Sequence, residues 1–184
     1  FDPKYASKLK SCGISMLDSA TDVIPAALHY LGKPAFSTNP ADYAEAAKLM
    51  KAIRPNVKIF SSGINDLASG GLCMALGYSG DMNIAAKRAA ENKTGQKIET
   101  LVPSTGGLLF YDNMAIPADA EHPNNAHIFI NYILRPDVAA SISNKMNYAT
   151  MNAESVKFVN KEILGNKSIF LTDEAKKRMV ASGV

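Results

Sequence analysis

Two short motifs in the sequence set an aromatic ring beside a carboxylate. Gly77-Tyr78-Ser79-Gly80-Asp81 follows an apolar stretch and precedes an alanine-rich one, and Phe110-Tyr111-Asp112 sits inside an extended apolar run. This pairing suits cation capture, because the acid neutralises a charge while the ring face attracts it and packs any attached methylenes. The first motif also falls at a strand-to-helix junction, where open α/β sheets bind ligands, so Tyr78 and Asp81 are expected to face a common crevice. Strand alternation would put Phe110 and Asp112 on one face and Tyr111 on the other. Each motif has a plainer reading too: Asp81 caps the helix that follows it, and Asp112 points from an edge strand into water.

Other chemistries leave fewer traces. There is no G-x-S-x-G, no H-E-x-x-H and no Walker loop, and the glycines at 63, 70, 71, 77 and 80 do not form G-x-G-x-x-G. His29, His122 and His127 come from unrelated stretches, so each reads as an ordinary surface histidine, and neither a metal site nor a cofactor is expected. Cys12 and Cys73 lie outside any C-x-x-C or zinc spacing. They are two buried thiols or one bridge closing a long loop, and composition does not choose between these. Neither has a neighbouring basic residue to activate it, and a thiol-dependent enzyme built on Cys73 stands only as an alternative. With 20 basic against 17 acidic residues, a net charge of +3 and no block of like charge, the chain lacks the electrostatic footprint of a nucleic-acid binder.

The elements that must hold these residues can be read in order. The 184 residues are 47% hydrophobic and 20% charged, which excludes disorder, collagen and a disulfide-dense miniprotein. The length suits one domain or one large lobe of something bigger. No apolar run approaches the roughly 20 residues of a membrane span. Phe1-Asp2-Pro3-Lys4 is not the start of a basic-then-apolar leader, so a soluble chain without a targeting segment is expected. Ser19-Ala20-Thr21-Asp22 has the form of a capping box and opens a helix at about 20–31, with Pro25 near its first turn. Asn39-Pro40 opens a second helix, which ends before Pro55. Val57 to Phe60 reads as a strand, Ile64 to Ala68 as a short helix, and Leu72 to Gly77 as an apolar strand covered on both faces. A helix over 81–92, a strand over 97–102, an extended run over 108–116, helices near 124–134 and 137–145, and a terminal helix capped by Thr172 complete the reading. The alternation of strands and helices predicts an α/β fold with an open, mostly parallel sheet flanked by helices.

With the two motifs go collinear stretches at Lys8 to Gly13, Leu31-Gly32-Lys33, Ile53 to Asn56, Ile64 to Ala68, Met114 to Ala120, Asn131 to Val138 and Asn147-Tyr148-Ala149. Together they resemble the periplasmic polyamine-binding proteins of ABC importers, the putrescine-type members most closely. The resemblance implies a periplasmic binding protein-like lobe of type II and a solute-binding protein, not an enzyme, that closes on putrescine, spermidine or a related polyamine. The implied partner is a permease at the inner membrane. Carried over position by position, Asp81 and Asp112 look like the carboxylates, Tyr78 and Phe110 like aromatic walls, and Tyr148 like a further wall or hydrogen-bonding partner. Asp22 falls where the family has an amine-binding carboxylate, usually Glu. Tyr78 stands where the putrescine-type pattern has Trp, so both departures bear on the preferred chain length. The resemblance also implies an oxidising compartment and a Cys12–Cys73 disulfide, closing a loop of about 60 residues worth roughly 3 to 5 kcal/mol in the chain-entropy model.

Such a site has its own physical logic. A diamine near neutral pH is a dication with an apolar middle, so each end demands a carboxylate once it leaves water. A basic protein can supply one, because carboxylates in a low-dielectric cleft outweigh a distant surface charge screened by salt. Family members are nearly twice as long, so the first lobe is expected to be largely missing. Residues 1–103 with 148–184 are then the second ligand-binding lobe, and 104–147 a crossover segment belonging to the missing one. That segment would expose apolar surface unless another chain, a domain swap or self-association, or a rearrangement covers it. A receptor for another cationic solute, such as a basic amino acid or an iron complex, is the alternative on the same fold.

Overall fold

In the computed structural model, residues 1–181 are described, and 182–184, the end of the expected second lobe, lie outside them. The chain gathers into two compact units: residues 1–110 with the C-terminal segment from Thr172, and residues 111–171.

The first unit opens with α1 (Pro3–Lys8), where the Asp2 side chain accepts a hydrogen bond from the Lys4 amide and Pro3 takes the first helical position. β1 (Ile14–Met16) follows and is buried at all three residues. α2 (Ala20–Tyr30) comes close to the predicted span and runs through Pro25, whose missing amide would have met the carbonyl of exposed Thr21 in the first turn, where water can replace the bond. α3 (Pro40–Ile53) starts at Asn39, whose side chain accepts from the Ala41 amide, and ends in a single 3₁₀ turn before β2 (Val57–Phe60). α4 (Ile64–Ser69), β3 (Met74–Ala75) and α5 (Ser79–Glu91) complete the βα alternation. The strands form a parallel sheet in the order β2-β1-β3, with Ile14 beside Val57 on one side and Met74 on the other. One core gathers Ala6, Ile14, Met16, Val23, Ile53 and Val57 from α1, α2, α3 and the two strands. A second gathers Leu67, Leu72, Met82 and Ala85 around α4 and α5.

Several expectations change here. Strand pairing in Leu72 to Gly77 is confined to Met74–Ala75, and because β3 lies at the edge of the described sheet, Met74 is 40% exposed instead of covered on both faces. Residues 97–102 form no strand, since no ladder partner meets them; Ile98 leans on the second core instead. The run 108–116 pairs only over β4 (Gly107–Leu109), whose partner is β5 (Met179–Ala181), a strand with no forecast. Beyond Leu109 there is no ladder, so alternation does not set the directions of Phe110, Tyr111 and Asp112. The terminal helix, α9 (Asp173–Lys176), is capped by Thr172, whose hydroxyl accepts from the Ala175 amide. Gly106, entering β4, has φ +85° and lies so close to the chain before β5 that a Cβ would stand 1.8 Å from the Arg178 carbonyl oxygen.

The second unit is helical. α6 (Pro123–Ile133) and α7 (Pro136–Met146) meet at the Arg135-Pro136 break, followed by a 3₁₀ stretch over Ala153–Phe158 and α8 (Lys161–Gly165). Ala140, Val159, Ile163 and Ile169 form its core. α6 contributes no buried residue, and Ile128, Phe129 and Tyr132 are 68%, 58% and 54% exposed.

Candidate functional site

Two parallel strands of one sheet, β1 and β3, and β4 of the separate β4–β5 sheet end on candidate site residues. β1 ends at Met16 and delivers Ser19 and Asp22, β3 ends at Ala75 and delivers Tyr78 and Asp81, and β4 ends at Leu109 and delivers Phe110. Carboxyl ends of strands are where the helices that follow leave a crevice in open α/β sheets.

Asp22 is half-buried in the first turn of α2 and receives two hydroxyls on one oxygen. The Tyr78 phenol donates to Oδ2 at 2.5 Å and the Ser19 hydroxyl donates to the same oxygen at 2.6 Å. Ser19 is the N-cap residue of α2, yet its side chain makes no capping bond to the helix amides. The capping-box reading of Ser19-Ala20-Thr21-Asp22 therefore changes in substance: the hydroxyl serves the carboxylate and also meets the Thr21 hydroxyl at 3.1 Å. On its other side the Tyr78 ring stands edge-to-face with Phe110, centroids 5.9 Å apart at 82°, the geometry that ring quadrupoles favour. Phe110 is 39% exposed, leaving ring surface accessible.

Asp81 is the third residue of α5 and the N-cap is Tyr78, so Asp81 does not cap that helix. A negative side chain in a first turn is favoured by the helix dipole. Of the six residues singled out in the sequence, the structure joins Asp22, Tyr78 and Phe110 by direct contact and puts Asp81 one turn along from Tyr78. Asp112 and Tyr148 belong to the second unit. There Asp112 is exposed, while Tyr148 is half-buried and its carbonyl accepts the Ser143 hydroxyl. Ser19 is the member that sequence reasoning missed, because a serine three residues before an aspartate at a helix start is already explained as a cap.

At the opposite ends of the strands, Cys12 and Cys73 form a disulfide with Cα atoms 5.6 Å apart, one just before β1 and one just before β3. The Cys73 amide also donates to the Gly13 carbonyl at 3.2 Å, so the bond reinforces a β1–β3 ladder of two residue pairs. With its sulfur in this bond, Cys73 is not an available thiol nucleophile. Among the described residues no cluster of His, Cys, Asp and Glu could hold a metal ion, and no helix is long and apolar enough to cross a membrane.

Comparison with known proteins agrees with this architecture. The chain is 42% identical over 171 residues to the putrescine-binding periplasmic protein PotF of Escherichia coli strain K12, covering 91% of this chain and 46% of that protein. It is 39% identical over 181 residues to the putrescine-binding periplasmic protein SpuD of Pseudomonas aeruginosa, covering 97% of this chain and 49% of that one. The solved structure of a putative spermidine/putrescine ABC transporter from Listeria monocytogenes superimposes with a TM-score of 0.81 at 30% identity, over 95% of this chain and 52% of that one. The chain thus spans about half the length of the curated relatives it matches. These relatives are named as binding proteins, and none as an enzyme. The family model for bacterial extracellular solute-binding proteins matches residues 2–166, and on that match the chain belongs to this family.

Proposed function

We propose that the complete protein carrying this chain is a periplasmic binding protein that captures putrescine or a related polyamine and hands it to an ABC transporter permease at the inner membrane. The observation that carries this reading is the half-buried Asp22 carboxylate bonded to the Tyr78 phenol, whose ring stands edge-to-face with Phe110, at the carboxyl ends of β1, β3 and β4. A carboxylate beside aromatic faces suits an ammonium on a methylene chain, and the names of the relatives point to the same ligand class. Asp22 and Asp81 take the ammonium charge, and Tyr78 and Phe110 pack the methylenes. Asp112 and Tyr148 contribute in the same reading, and further ligand residues come from the lobe outside this chain. Segment 104–147 then crosses to that other lobe; the compact unit 111–171 overlaps most of it.

Isothermal titration of the complete protein with putrescine, spermidine and arginine tests the assignment. Saturable binding of a polyamine is expected; binding of arginine alone would reject it. Asp81→Ala should weaken putrescine binding about a hundredfold or more, the usual consequence of leaving a desolvated charge unpaired. An unchanged affinity would leave Asp81 a helix-terminal residue with no ligand role.

A further inference from the structure

The geometry at Asp22 points to a rule about which cations the site accepts, and it rests on the polyamine reading above. Two hydroxyls, from Ser19 and Tyr78, converge on Oδ2 at 2.6 and 2.5 Å. Oδ1 accepts no hydrogen bond among the described residues, and on this half-buried side chain it is the oxygen left for a ligand. We propose that Ser19 and Tyr78 act as specificity residues: by occupying Oδ2 they make Asp22 a one-oxygen receptor that takes an ammonium and disfavours a guanidinium.

The argument is one of donor geometry. An ammonium is a compact charge that binds well to a single oxygen, whereas a guanidinium presents a planar fork whose parallel N–H bonds match both oxygens of a carboxylate. A carboxylate with one oxygen engaged by two hydroxyls offers the fork only half its partner, and the second N–H of the fork would lose its water without replacement. Ser19 fits the role because its hydroxyl forgoes the cap of α2 to reach Asp22, and Tyr78 fits because a phenyl ring of the same shape, lacking the hydroxyl, would still pack on Phe110.

The test compares putrescine with 1,4-diguanidinobutane, which has the same four-methylene spacer and a fork at both ends, so that no binding orientation spares Asp22 a guanidinium. Titrations use the complete protein and its Tyr78→Phe and Ser19→Ala variants. The unaltered protein should favour putrescine, and each variant should shift the affinity ratio toward the diguanidine by about tenfold, the worth of one hydrogen bond to a charged group. Ser19→Thr keeps the hydroxyl and should restore the original ratio, which a mere packing defect would not predict. Putrescine binding with a ratio unchanged within about twofold in both variants overturns this inference alone. Binding of neither putrescine nor spermidine by the unaltered protein sinks the polyamine reading, and this inference with it.

Discussion

A carboxylate can be recognised from sequence as a candidate, but what its neighbours do to it is a matter of a few tenths of an ångström. Tyr78 was legible as a residue type suited to a cation and Asp22 as a candidate through the family resemblance, while the direction of the Ser19 hydroxyl was not. A cap and a ligand-positioning bond call for the same serine at the same spacing, and only the fold of the first turn of α2 decides between them. The same local resolution applies at Arg135, whose guanidinium lies 2.9 Å from Asp137 and holds that carboxyl below its ordinary value of 3.8, chiefly through the hydrogen bond. A folded-state pKa that is depressed gives stability present above the unfolded value and lost as pH falls through the folded one. Both groups are exposed, so the gain is small. Carbon-detected titration should find the Asp137 midpoint below 3.8, and Arg135→Ala should move it upward; an unmoved midpoint would show the pair to be loose in solution.

Elements announced by caps and long apolar stripes were readable: α2, α3, α5, α6 and α7 all lie within a few residues of their forecasts. Strands fared worse because a strand exists only where a partner meets it. Ile14-Ser15-Met16 is too short to display a period and yet is the middle of the sheet, whereas 97–102 has strand-like composition and no neighbour to pair with. β5 was invisible for the same reason, its partner β4 lying far earlier in the chain. That pairing depends on Gly106, where a positive φ and contact with the Arg178 carbonyl exclude any side chain. Gly106→Ala should destabilise the protein by about 2 to 4 kcal/mol, with much of the loss from displaced β5. Thermal unfolding measures it, and a melting temperature within a degree or two of the parent would mean that the approach relaxes cheaply.

At the scale of the whole molecule, the fold class followed from the alternation of elements, and the family from collinear motifs spread along the chain. The lobe assignment could not follow from periodicity, because residues that belong to different bodies carry the same local patterns. The Cys12–Cys73 bond, expected from the resemblance alone, is present with a sequence separation of 61. Removing it by a Cys12→Ala, Cys73→Ala double substitution should cost roughly 3 to 5 kcal/mol by the chain-entropy account, seen as a lower denaturant midpoint. An unchanged midpoint would mean that the two-pair β1–β3 ladder holds without its covalent staple.

The pairing of β4 with β5 has a consequence in time. A ribosome delivers residues in order, and both cysteines lie within the first 73, so the bridge can form once that stretch reaches an oxidising compartment. The first unit nevertheless waits for its last strand until residue 181 has emerged, after all of 111–171 has been made. Maturation is thus a belt fastened early at one end and buckled late at the other.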